Sequence, residues 1–191
     1  MRHIFLLLLI VSIGGCVPYS DDPLTAPGLQ AMDASVYGTW YWKDDNEVGY
    51  VHMGLDKESK ALQVHMVEFG QNGEMHVSQL TGHTSAFSDH TYLNLKWVNA
   101  KDENPGYLFV KYEAKSEVLT IALMNNETAE KAIEAGRLKG EVIKAKWSSA
   151  AHITESGEAL RQFVAEHDQD LFKEKTPLHR LNPANVPDVR P

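Results

Sequence analysis

The chain has 191 residues, a formal charge of −8 and a single cysteine, and 43% of its residues are hydrophobic. A chain of this length buries a core without staples, and one cysteine excludes an internal disulfide. The acidic balance argues against a nucleic-acid binder and against a polybasic grip on anionic head groups, so any membrane attachment must come from elsewhere.

The chain opens with Arg2, an apolar run over 4–13 and then Gly14-Gly15-Cys16. The run is about ten residues where a spanning helix needs roughly 20, so it reads as an export signal and not as a membrane span. No later apolar segment approaches spanning length. Ile13-Gly14-Gly15-Cys16 resembles the lipobox of bacterial lipoproteins. That resemblance implies cleavage before Cys16, lipidation of the Cys16 thiol with palmitate-type chains and attachment to the lipid bilayer through the acylated residue. Val17 follows the cysteine in place of the Asp that holds many such proteins in the inner membrane, which favours the outer membrane and a domain facing the periplasm. The expected division is a signal peptide over 1–15, a lipid anchor and flexible tether over 16–35, a β-barrel-like domain over 36–173 and a Pro-rich tail over 174–191.

The tether expectation rests on Pro18, Pro23, Pro27, Asp21 and Asp22, which show no periodicity. From Val36 the period becomes two. Gly38-Thr39-Trp40-Tyr41-Trp42 opens a strand that ends at Lys43-Asp44-Asp45-Asn46. Runs over 49–56 and 61–69 flank Lys57-Glu58-Ser59-Lys60 and form a hairpin. The four-residue loop sets Leu55 against Leu62, Met53 against Val64 and Val51 against Met66 on the core side, with Tyr50 opposite Val67 and His52 opposite His65 outside.

Gln71-Asn72-Gly73 is a turn, so 75–87 returns antiparallel, with a break expected at Gly82. After Ser88-Asp89-His90 come strands over 91–98, 107–114 and 117–124, the middle turn being Asn104-Pro105-Gly106. Tyr107 and Phe109 oppose Leu108, Val110 and Tyr112, so this part of the sheet is covered on both sides. Asn126 caps a short helix ended by Gly136, and 141–147 is the eighth strand candidate. Thr154 or Ser156 caps an amphipathic helix to about Phe172, with Leu160, Phe163, Val164, His167 and Leu171 spaced three and four apart. Pro177, Pro183, Pro187 and Pro191 exclude regular structure from the tail.

These elements predict a mainly β protein, an antiparallel up-and-down barrel or strongly curled sheet of about eight strands, with a short helix before the last strand and a C-terminal amphipathic helix. At Gly38-Thr39-Trp40 the chain is similar to the lipocalin superfamily, whose first strand carries a Gly-x-Trp motif with the Trp plugging one barrel end. The resemblance implies a lipocalin-like barrel and a carrier of a small apolar ligand or lipid. No late Arg is placed by the pattern over that Trp, no second motif of the Thr-Asp-Tyr kind follows, and the main helix follows the last strand candidate. Tyr92-Leu93-Asn94-Leu95, the run from Tyr107 to Tyr112, Leu119-Thr120-Ile121-Ala122-Leu123-Met124, the run from Ala132 to Gly140, and Ile153-Thr154-Glu155-Ser156 with Leu160 and Phe163 resemble a family of uncharacterised bacterial exported proteins. That resemblance implies that strands and helices form one unit, and brings no activity with it.

The chemistry-bearing residues form no standard site. His52 faces His65, with His76 on the next strand, and these three are the candidate metal ligands; solvated surface histidines without metal are the expectation, because no carboxylate is fixed beside them. Ser78, Ser85 and Ser88 lie near His76, His83 and His90 in sequence without a nucleophile elbow. Glu68, Asp89 and Glu113 are the carboxylates open to convergence. No enzyme activity and no cofactor are expected. The aromatic set Trp40, Tyr41, Trp42, Tyr92, Trp97, Phe109 and Tyr112 either lines an apolar pocket or fills the interior, with Trp40, Trp42, Trp97 and Phe109 as the pocket or core candidates; filling is the expectation, since eight strands enclose a space just wide enough to pack solid. Two functions follow: a membrane-anchored, non-catalytic module contacting other envelope proteins, or a carrier of a small apolar ligand.

Overall fold

A computed structural model of the chain describes residues 17–43, 48–70, 73–98 and 106–182. The strands among them are β1 (Tyr19–Ser20), β2 (Gly38–Lys43), β3 (Val48–Leu55), β4 (Leu62–Phe69), β5 (Met75–Phe87), β6 (His90–Trp97), β7 (Leu108–Lys115), β8 (Val118–Leu123), β9 (Gly140–Lys144), β10 (Ser149–Ile153) and β11 (Thr176–Arg180). The helices are α1 (Asn126–Glu134), α2 (Gly157–Glu166) and α3 (Asp168–Leu171), and Ala34–Val36 forms one 3-10 turn. No described helix is long and apolar enough to cross a membrane. Cys16 and the leader lie outside the described residues, as do the expected turn residues at 44–46, 71–72 and 104–105 and the last nine residues.

Alternating apolar residues on β2 to β8 close into an antiparallel barrel in the order β11-β2-β3-β4-β5-β6-β7-β8. The β3–β4 register is the expected one in every pair, from Leu55 with Leu62 to Tyr50 with Val67, with His52 opposite His65. A one-residue slip would have turned Met53 and Val64 out to solvent, so burial of one face fixes the pairing. Ser88 and Asp89 both take positive φ (50° and 61°), the two-residue turn that matches strand twist. β5 runs unbroken through Gly82, where a Cβ would stand 1.9 Å from Asn94 O; the glycine permits close backbone approach and does not end the strand.

One end of the barrel is plugged. Trp40 is fully buried, its Nε1–H donates to Val36 O at 2.9 Å, and Val36 itself is fully buried. The Arg180 guanidinium lies over the Trp40 ring, 4.1 Å from its centroid, and donates to Tyr37 O at 2.9 Å. Gly38 has φ +127°, and a Cβ there would meet Arg180 Nη1 at 2.5 Å, so this strand can start only with glycine. A late arginine therefore does stack on the first-strand Trp. Its strand, β11, carries Pro177 and shows no alternation, which is why the sequence pattern does not place it.

That tail expectation is corrected: β11 pairs with β8 through Thr176 to His179 and with β2 only through His179 and Arg180. Pro177 thus falls where β2 does not oppose it, a position at which a missing N–H is tolerated. The eighth-strand expectation moves with it, because 141–147 instead contributes β9 to a separate sheet ordered β1-β10-β9. All three helices consequently precede the last barrel strand. The N-cap of α1 is Asn125, whose side chain accepts from Thr128 N at 2.9 Å, one residue before the expected Asn126. The second helix is interrupted at His167 into α2 and α3, yet Leu160, Phe163, Val164 and Leu171 all reach the core as the spacing required.

The flexible-tether expectation for 16–35 is also corrected over its described part. Residues 17–36 run along the outer wall of β5 and β6 from the Tyr107 end to the plugged end. Leu24 is fully buried, and its N–H donates to Asn94 Oδ1 at 2.7 Å. His83 Nε2 donates to Thr25 O at 2.7 Å, and Gln30 exchanges two bonds with the Ala86 backbone. Leu24 joins Tyr92, Phe109, Leu160, Phe163 and Leu171 in a second core outside the barrel, which is the two-sided cover expected of β7.

Candidate functional site

Above the Trp40 plug the interior is not filled. Val64, Leu80, Leu93, Leu95 and Val110 project inward from opposite walls and leave a cavity of about 100 Å³. Eight strands enclose a space that side chains can fill or that can hold one small ligand, and here the aliphatic side chains leave a gap between the walls, whereas the buried Trp40 indole closes the end. Trp42, Trp97, Leu108 and Leu123 stand near the other end, and the polar residues among the described lining are Glu174 and Thr176. Glu174 is exposed, so it marks the mouth. An apolar cavity of ~150 Å³ stays dry and accepts benzene, so this space suits an apolar group of similar or smaller size.

Trp42 is held by a gap in the opposite strand. It pairs with Gly49, and a Cβ at Gly49 would stand 1.9 Å from Trp42 Cζ2, so the indole lies directly on the glycine backbone. Trp42 is buried, and its Nε1 has no hydrogen-bond partner among the described residues.

Of the four aromatic candidates, Trp42 and Trp97 line the cavity, Trp40 fills the plugged end, and Phe109 lies on the outer wall in the second core. The alternation on β7 turns Phe109 away from Leu108 and Val110, which is why it cannot share their pocket. His52 and His65 do face each other, but His52 Nδ1 is bonded to Thr39 Oγ1 at 2.9 Å. His76 is placed opposite Glu68, while His65 faces Gln79. Among the described residues no group of three or more His, Cys, Asp or Glu side chains is placed to hold a metal ion. Ser85 bonds Thr25 and Asn94 instead of a histidine. Glu68 and Asp89 sit toward opposite ends of the barrel, and Glu113 pairs with Lys115 at 2.7 Å, so these carboxylates do not converge.

A polar cluster on the outer wall gave no sequence signal. Asp168 is buried, accepts from Tyr92 OH at 2.8 Å and from Lys111 Nζ, and lies 3.5 Å from His90 Nε2. Burial, then the bond to Asp168, pushes the Tyr92 hydroxyl far above its usual range. The cluster fastens α3 to β6 and β7. Its members are distant in sequence, joined only by the helix break at His167 that turns Asp168 inward.

No family model, curated protein or solved structure matches the chain.

Proposed function

We propose that the protein is a non-catalytic binding module of the bacterial envelope, anchored to the outer membrane through acylated Cys16 on the periplasmic side, whose barrel takes a small apolar ligand. The observation that carries this reading is the cavity of about 100 Å³ between Leu80, Leu95 and Val110, whose described lining is apolar except for Glu174 and Thr176. Its size favours one end of an alkyl chain or a small ring over a whole lipid, since pockets that enclose drug-sized molecules run to ~300 Å³ or more.

Displacement of a fluorescent apolar dye by neutral alkyl alcohols of rising chain length tests the proposal. Competition should strengthen with chain length up to a limit set by the cavity, and Val64→Phe, which fills that space, should abolish it. Dye binding that is absent, or indifferent to Val64→Phe, overturns the assignment.

A further inference from the structure

The sheet outside the barrel ends in a hairpin with a hydrophobic side chain at its tip. Lys144 of β9 pairs with Ser149 of β10, and the turn between them closes with Ala145 N–H donating to Ser148 O at 2.8 Å. Trp147 in that turn is 84% exposed and Ile143, opposite Ala150 near the end of β9, 43%, and neither joins a core cluster. The fold thus gains no burial from Trp147. Around it the sequence reads Lys144-Ala145-Lys146-Trp147-Ser148, two lysines and no acid in a chain of net charge −8. Lys146 Nζ lies 5.1 Å from the Trp147 ring, and no ion pair among the described residues involves Lys144 or Lys146.

An exposed indole combines an apolar face with an N–H donor, the combination enriched at the level of lipid head groups. Lysines flanking it supply the charge that acidic head groups attract, while their methylene stems lie along apolar surface.

The position of the tip adds a second observation. β1 pairs in parallel with β10, Tyr19 with His152 and Ser20 with Ile153. Parallel strands are entered from the same side, and β10 is entered from the Trp147 turn. β1 is therefore entered from the side that carries Trp147; Val17 before it packs against the barrel core, and Cys16, three residues before Tyr19 in sequence, lies outside the described residues.

We propose that the β9–β10 tip is a membrane-interface contact, in which Trp147 and Ile143 seat at the head-group level of an anionic bilayer and Lys144 and Lys146 meet its acidic groups. Beside an acyl chain on Cys16 it forms a two-point attachment, which fixes the barrel's orientation where an acyl chain alone leaves it free to turn. The pairing with the anchor rests on the lipidation of Cys16, whereas the tip contact does not.

The full-length protein, extracted from membranes and reconstituted in vesicles of phosphatidylethanolamine and phosphatidylglycerol, provides the test. Trp40 and Trp42 are buried, and half-buried Trp97 at the cavity mouth is replaced by Phe in parent and variants alike, so brominated acyl chains should quench chiefly Trp147, and Trp147→Phe should remove most of the quenching. Lys144→Gln with Lys146→Gln, both exposed and safe for folding, should weaken the anionic-lipid dependence by about fivefold per lysine. The mass of the N-terminal peptide reports acylation separately; an unacylated protein added to the same vesicles still gives the quenching result. Quenching unchanged by Trp147→Phe, or a Trp147 open to aqueous acrylamide in the vesicles, overturns the proposal. Shielding from acrylamide in native membranes without bromolipid quenching assigns the tip to a protein partner and overturns it equally.

Discussion

Trp40→Ala removes three things at once: a fully buried indole, its hydrogen bond to Val36 O and the surface on which Arg180 rests. Truncating a core Trp costs roughly 3–5 kcal/mol, within which the hydrogen bond is worth about 1 kcal/mol. For a domain of this size each kcal/mol moves the melting temperature by roughly 2–4 °C, so the variant should melt roughly 6–20 °C lower. Trp40→Phe keeps a ring under Arg180 but drops the donor, and should fall by about a third as much. A double-mutant cycle with Arg180→Ala isolates the stacking, which should couple by about 0.5–2 kcal/mol. Urea unfolding followed by far-UV circular dichroism, with the denaturant slope unchanged, gives each corner of the cycle. A Trp40→Ala melting temperature within about 2 °C of the parent, or single variants that add within about 0.3 kcal/mol, would refute the plug.

Two histidines give the N-terminal segment opposite pH responses. Burial outweighs the bond to Thr25 O and holds His83 below its usual value of 6.5, so the unfolded chain takes up a proton first and stability falls as pH drops below about 6.5. The protection factor of the Leu24 amide, exchange measured against its intrinsic rate at each pH, should fall in that range, and His83→Gln should flatten the slope. For His152 burial acts downward, but the bonds to Asp21 and Glu141 prevail and raise it, so its stabilisation is full below about 6.5 and is lost as pH rises through the folded value. The protection factor of the Asp21 amide, bonded to Ile153 O, should therefore fall toward alkaline pH once the intrinsic rise in exchange rate is divided out, and should not fall in His152→Gln. Gly49→Ala places a methyl inside the Trp42 ring's position, and should cost about 1–3 kcal/mol while altering dye affinity; unchanged values for both would show that Trp42 rests elsewhere.

How far the sequence disclosed the fold depends on how local each signal was. The β3–β4 hairpin was legible to the residue because a four-residue loop and a one-sided apolar pattern both demand the same register. Leu160, Phe163, Val164 and Leu171 were legible for the same reason, at the helical period. β11 was not: five residues with Pro177 carry no alternation, and only closure against β2 and β8 makes them a strand. Residues 17–36 depart from the expected tether because polar side chains hold them, Asn94, His83 and Ser85 on the barrel's outer wall and Thr84 on its inner side near the plugged end, and such bonds between distant residues leave no period. The candidate site was half visible. Trp42 and Trp97 were singled out, but whether aliphatic walls meet across the barrel depends on strand closure, and the exposed Trp147 was absorbed into a supposed barrel strand.

The central claim, an apolar ligand inside the barrel, is tested most directly by native mass spectrometry of the full-length protein released gently from membranes. The expected spectrum contains a fraction carrying one small apolar molecule, released on activation and missing from Val64→Phe. A parent protein that shows only its own acylated mass, and acquires no adduct when incubated with short-chain alcohols, would contradict it.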